Sequence, residues 1–177
     1  TSKMSSKATG VDRTHRKNIC LSKREFSRVL RALRSIDRKA ALIAELVWWL
    51  NRHAVKKGSY IPLEAVLKLW RKNIAPEGEG TWIELHYQRG GIPHLLVWPL
   101  PDHLWRRVLD QIKPRSWMLF PNRNGAPLLT GDLDKVFARA GLMAGIKGKI
   151  SSLSFRPEAK GSQQDSVLFQ RLLLPSD

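Results

Sequence analysis

Cysteine is nearly absent from this chain. Cys20 is the single one, which excludes an internal disulfide framework and a Cys-based zinc site. Acid is scarce as well: 15 Asp and Glu stand against 31 Lys and Arg, for a formal charge of +16. That balance points to a polyanionic partner, most often nucleic acid, with a merely basic soluble protein as the alternative. Long apolar runs are missing, and none approaches the ~20 residues of a membrane span. The first 20 residues hold no hydrophobic stretch, so no signal peptide is expected. A prokaryotic cytoplasm or nucleoid is the expected location. No Walker-type glycine loop and no Gly-x-Ser-x-Gly elbow is present. His86, His94 and His103 lack carboxylates at a matching period, so no metal site and no small-molecule cofactor are expected. Tyrosine is rare too: Tyr60 and Tyr87 are the only two.

What is there suits one domain. The chain has 177 residues, 42% of them hydrophobic, which is enough for a real core. Residues 1–20 read as a basic flexible arm or linker, carrying Lys3, Lys7, Arg13, Arg16 and Lys17 against Asp12. Ser22 with Glu25 three positions on forms a capping box, and Phe26, Val29, Leu30, Leu33 and Ile36 follow at helical spacing. The arginines between them suit either phosphate contact or a solvated face. A second helix over 39–52 is apolar nearly all round and should be buried. Pro62 opens a third, with Leu63, Val66, Leu67 and Trp70 on one face.

Trp82–Tyr87 and His94–Trp98, joined by Arg89-Gly90-Gly91, predict a β-hairpin. Residues 101–112 read as a helix with Leu104, Trp105, Val108, Leu109 and Ile112 inward. Thr130 is placed as the cap of a helix over 131–144, which Gly145 and Gly148 stop. A last short helix is expected over 162–173. The seven tryptophans read as packing rather than base-stacking platforms. Helices around a small antiparallel sheet make an α+β domain.

The opening LSKREFSRVLRAL, the hairpin and the block Leu119–Arg156 (LFPNRNGAPLLTGDLDKVFARAGLMAGIKGKISSLSFR) come in a telling order. Together they resemble the tyrosine recombinase, or phage integrase, catalytic domain over about residues 21–160. The resemblance implies a mainly helical catalytic domain over 21–177 with a small antiparallel sheet. It implies double-stranded DNA as partner, assembly as a homo-oligomer on DNA, and no metal. In that family a tyrosine attacks the scissile phosphodiester and forms a 3′-phosphotyrosyl link. Two arginines stabilise the transition state, a hairpin lysine protonates the leaving oxygen, and the second arginine belongs to a His-x-x-Arg motif.

Carried over residue by residue, the second arginine is Arg156, in Ser-Leu-Ser-Phe-Arg-Pro. Leu153 stands where the motif has histidine, and Pro157 follows the arginine. The hairpin lysine has no counterpart, and Arg89 is the nearest basic residue, although its high pKa makes it a poor general acid. Counting forward from the buried helix, the first arginine falls on Arg52. Counting back from Glu64, it falls on Ile61. Arg52 is the candidate, and a helix C-terminal cation is its alternative reading. The family's tyrosine follows its second arginine, whereas both tyrosines here precede Arg156. The candidate catalytic set is therefore Arg156, Arg52 and Arg89. The candidate DNA contacts are Lys56, Lys57, Arg89, Arg123, Lys147, Lys149 and Arg156.

The function expected is a DNA-binding recombinase-like domain that is inactive as this chain. An active site-specific recombinase with its nucleophile downstream or in trans is one alternative. A non-enzymatic plasmid-maintenance or regulatory nucleic-acid binder is the other. Whether the chain is an enzyme stays open at this point.

Overall fold

The computed structural model describes residues 19–55, 59–77, 80–111 and 116–156, with backbone alone at 75–77 and 80. Most of the expected basic arm, Lys56, Lys57, Ile112 and the expected helix over 162–173 lie outside the described residues.

Helix α1 (Lys23–Ile36) begins at the capping box read from the sequence. The Ser22 backbone N–H donates to Glu25 Oε2 at 2.9 Å, and the Glu25 N–H donates back to Ser22 Oγ at 3.3 Å. These bonds to Ser22, backbone first, hold the Glu25 carboxyl below its usual pKa because they favour its ionised form. Helix α2 (Arg38–His53) follows after one residue, Asp37, whose side chain caps it by accepting from the N–H groups of Lys39 and Ala40. As its all-round apolar character requires, α2 runs through the core, with Leu42, Ile43, Leu46 and Leu50 almost fully enclosed.

Helix α3 is only Leu63–Leu67. The expected continuation to Trp70 fails because the chain turns out at Lys68 and buries Leu69 in its place. A 3₁₀ turn at Arg71–Asn73 leads into a three-stranded antiparallel sheet in the order β1 (Ile74–Glu77), β2 (Gly80–Arg89), β3 (Ile92–Leu100). β2 and β3 form the expected hairpin, in a register that pairs Tyr87 with His94 and Arg89 with Ile92. Gly90 and Gly91 have φ +57° and +78°, the doubly left-handed turn that matches sheet twist and that glycine adopts at no steric cost. Ile83 and Leu85 face the core. By the period-two rule Tyr87, Arg89, Ile92 and His94 continue that face beyond the core.

Helix α4 (Asp102–Gln111) buries Leu104 and Val108, but Leu109, expected inward, is exposed. Helix α5 (Thr130–Met143) starts one residue earlier than expected, with Leu129 at the cap position. Thr130 is therefore not a cap, and its hydroxyl donates to Glu64 at 3.2 Å. Trp48 is in the core, and Trp49, Trp98 and Trp105 pack against it. Trp70 and Trp117 are exceptions at 45% and 76% exposure, a correction to the reading of all seven as packing.

Phe155 sits fully enclosed at the centre of an aromatic cluster. It meets Phe26 and Phe137 edge-on at 5.8 and 4.9 Å, and Phe26 stacks flat on Trp48 at 4.0 Å. α1, α2, α5 and the 3₁₀ turn Ser152–Phe155 are thereby locked around one point.

Candidate functional site

Arg156 follows directly on Phe155, so a fully buried aromatic anchors it. The turn before it is also tied by hydrogen bonds. Ser151 Oγ accepts from the Leu153 N–H, Ser154 Oγ accepts from the Ser151 N–H, and Asp134 accepts from the Ser152 N–H at 2.7 Å. The Leu21 N–H reaches across from the start of α1 to the Ser154 carbonyl at 3.1 Å. Close packing helps as well. Gly148, at φ +114°, lies so near Ile19 that a β-carbon there would sit 2.0 Å from its Cδ1.

From this anchor the Arg156 guanidinium lies over the ring of Tyr60, with Cζ 3.6 Å from the ring centroid. Tyr60 belongs to the loop between α2 and α3, and that loop is pinned by a buried side chain. Asn51 Oδ1 accepts from the Ile61 N–H at 2.7 Å, and Asn51 Nδ2 donates to the Ile61 carbonyl at 3.3 Å. Both orphan backbone groups of Ile61 are thus satisfied by one amide. The hairpin tip arrives from the third direction. Arg89 Nη1 donates to Ser59 Oγ at 2.7 Å, and its Cζ is 5.3 Å from the same Tyr60 ring. Two guanidinium groups, 67 residues apart in sequence by their numbering (156 − 89), therefore share one aromatic ring.

Beside them is a cleft of about 150 Å³ lined by Tyr60, Ile61, Glu64, Ser152, Leu153 and Arg156, among others. Arg156 makes no ion pair among the described residues, and its buried Nε has no hydrogen-bond partner there. Leu153 is 37% exposed on the lining. A thioether-free, uncharged isobutyl group cannot hold or transfer a proton, so the position three before Arg156 contributes no acid–base chemistry.

The other sequence candidates fall in different places. Arg52 lies over Trp48 on its own helix, Cζ 3.9 Å from the ring centroid, while Ile61 lines the Arg156 cleft. Of the two counts for the first arginine, the one ending on Ile61 reaches this cleft. Arg123, Lys147 and Lys149 are exposed on loops at either end of α5. The three histidines diverge. His86 pairs with Glu84 on the outer face of β2, His94 stacks on Tyr87 at 5.2 Å, and His103 is exposed on α4. Among the described residues no three His, Cys, Asp or Glu side chains gather where a metal could sit, and no helix is long and apolar enough to cross a membrane.

Sequence reasoning missed Tyr60, Ser59 and Asn51. The counting from Glu64 carried a signal for them, because Tyr60 adjoins the slot that the count assigns to the first arginine.

Solved structures with similar folds are recombinases. XerH bound to its difH substrate in a pre-cleavage complex aligns at TM-score 0.57 with 17% identity, over 78% of this chain and 41% of that one. A lambda integrase tetramer bound to a Holliday junction aligns at 0.59 with 15% identity, over 89% and 46%. XerA recombinase aligns at 0.50 with 18% identity, over 78% and 47%. The chain thus spans less than half the length of these three proteins. No protein-family model and no curated protein matches the sequence. At such identities the likeness is one of architecture, and the chain has the fold of a tyrosine recombinase-like catalytic domain.

Proposed function

We propose that this domain binds duplex DNA and grips a backbone phosphate with Arg156 and Arg89, without itself cutting the strand. The observation that carries this reading is the shared Tyr60 ring, which brings the two guanidiniums to one place at the edge of the cleft that Arg156 lines. The Arg156 guanidinium, held against an aromatic face, can present its forked N–H edge to a phosphate in a bidentate contact. The charge of +16 supplies the attraction that brings the polyanion in. Neighbours of this fold include XerH bound to difH and a lambda integrase tetramer on a Holliday junction, which supports DNA as partner and assembly on it. The protein acts as an oligomer on that DNA.

Catalysis is a different matter. Leu153 and Ile61 occupy the cleft where the family resemblance calls for histidine and arginine. Tyr60 offers its ring to Arg156, and Tyr87 stacks on His94. On this reading the cleft binds a phosphate, while among the described residues neither a histidine nor a lysine lines it to pass a proton, and its tyrosine, Tyr60, is engaged through its ring by Arg156.

Fluorescence anisotropy with a labelled duplex tests the binding. Affinity should fall steeply as salt rises, because each phosphate contact releases counterions. Affinity that stays flat with salt refutes the reading. A nicked suicide duplex tests the chemistry. No covalent protein–DNA adduct is expected with this chain. An adduct would establish the rival reading, an active recombinase with its nucleophile supplied from outside the described residues.

A further inference from the structure

Arg156 does not border its cleft alone. The 3₁₀ turn ahead of it, Ser152–Phe155, brings Ser152 and Leu153 to the same wall. Ser152 is half-buried there. Its backbone is fixed from α5, because its N–H donates to Asp134 Oδ1 at 2.7 Å. The two serines beside it use their hydroxyls to hold the turn. Ser154 Oγ accepts from the Ser151 N–H at 3.2 Å, and Ser151 Oγ accepts from the Leu153 N–H at 3.3 Å. Ser152 differs from both: its hydroxyl has no hydrogen-bond partner among the described residues, so the turn stands without it.

A phosphodiester in this cleft would need such a group. Each of its two non-bridging oxygens accepts more than one hydrogen bond, so a single guanidinium fork leaves capacity unfilled. Acceptors left unfilled where water is partly excluded cost binding free energy. Other groups on the wall are spent or unsuited. The Ile61 N–H is taken by Asn51, and the Ser152 and Leu153 N–H groups are taken as described. Glu64 accepts from the Thr130 hydroxyl at 3.2 Å, and an ionised carboxylate offers a phosphate no donor. The Ser152 hydroxyl is uncharged, unspent and free to rotate toward an acceptor.

We propose that Ser152 is a second phosphate-binding residue of this cleft, its Oγ–H donating to the phosphate that Arg156 grips. The inference rests on the reading of the cleft as a phosphate site and adds a neutral donor to it.

Anisotropy with the labelled duplex and the full chain tests it. Ser152→Ala should weaken duplex binding about ten-fold. Its plot of log affinity against log salt should keep the parental slope, because a neutral donor releases no counterion. Ser152→Thr and Ser152→Val share a shape and differ in the hydroxyl. The Thr variant should therefore bind about ten-fold more tightly than the Val variant, whatever the added methyl costs. With Arg156→Ala already in place, Ser152→Ala should cost less than about two-fold, since the phosphate is no longer seated. Parental affinity in Ser152→Ala, or equal affinity in the Thr and Val variants, overturns the inference. So does an undiminished loss on the Arg156→Ala background. A salt slope flattened by about 0.9 in Ser152→Ala overturns it too, because Ser152 would then act only by placing Arg156. If Arg156→Ala weakens binding and Ser152→Ala does not, this inference fails and the phosphate reading stands. If Arg156→Ala binds as the parent does, both fail.

Discussion

Removing the Arg156 guanidinium should reduce duplex affinity by an amount the geometry bounds. Its Cζ sits 3.6 Å from the Tyr60 ring centroid, and its Nε is buried without a partner among the described residues. A charge-assisted contact to phosphate is worth about 1.5–3 kcal/mol, which is roughly ten- to 150-fold in Kd. Arg156→Ala should therefore bind duplex DNA that much more weakly. It should also flatten the plot of log affinity against log salt by about 0.9, the share of one phosphate. Arg156→Lys keeps the charge but not the plane or the fork, so it should recover the salt slope and only part of the affinity. Tyr60→Phe preserves the ring under the guanidinium and should bind like the parent chain, whereas Tyr60→Ala should resemble Arg156→Ala. Losing the cation–π contact costs about 0.5–2 kcal/mol, so a modest drop in melting temperature is expected beside the binding defect. The measurement is an anisotropy titration at several salt concentrations, with each variant's melt recorded. Arg156→Ala with parental affinity and parental salt slope would remove the phosphate site from the reasoning, however basic the chain.

Three further outcomes follow from the fold. Asn51→Ala leaves the Ile61 N–H and carbonyl unpaired in a buried place, so urea unfolding should show a loss of about 1–3 kcal/mol per stranded group. DNA affinity should fall with it as the Tyr60 loop loosens. Gly148→Ala forces a β-carbon onto Ile19 at φ +114° and should cost more than about 1 kcal/mol, read by the same unfolding curve, while Gly125→Ala, at φ +83° with open space around it, should cost less. Ser22→Ala should cost about 1 kcal/mol through the lost cap. The depressed Glu25 carboxyl adds a pH signature. Its stabilisation is present above the unfolded carboxylate pKa and is lost as pH falls through the lower folded value. Glu25→Gln should therefore narrow its stability gap to the parent as the medium is acidified, and a gap that stays constant with pH would contradict the capping-box assignment.

Much of this was legible from the chain alone, because the deciding physics was local. The Ser22–Glu25 pair, the Gly90-Gly91 turn and the apolar stripes of α1 and α2 involve residues a few positions apart, where capping and periodicity act. They place α1, the hairpin and the buried α2 within a few residues of where they stand. Where a local signal competed with a distant partner, the distant partner won. Thr130 had the chemistry of a cap but donates to Glu64, 66 positions away. Trp70 had helical spacing but the chain turned before it, since Leu69 fills the core more fully.

The sequence by itself determined that this is a strongly basic α+β domain, and its resemblance singled out Arg156. Only the tertiary structure decided which arginines meet. Arg52 and Arg89 were both candidates, and no periodicity could rank them, because Arg52 is stacked on its own helix while Arg89 rides a hairpin tip onto the Tyr60 loop. Convergence of residues 60, 89 and 156 is a property of how the packed elements close on one another, which side-chain spacing along a chain does not encode.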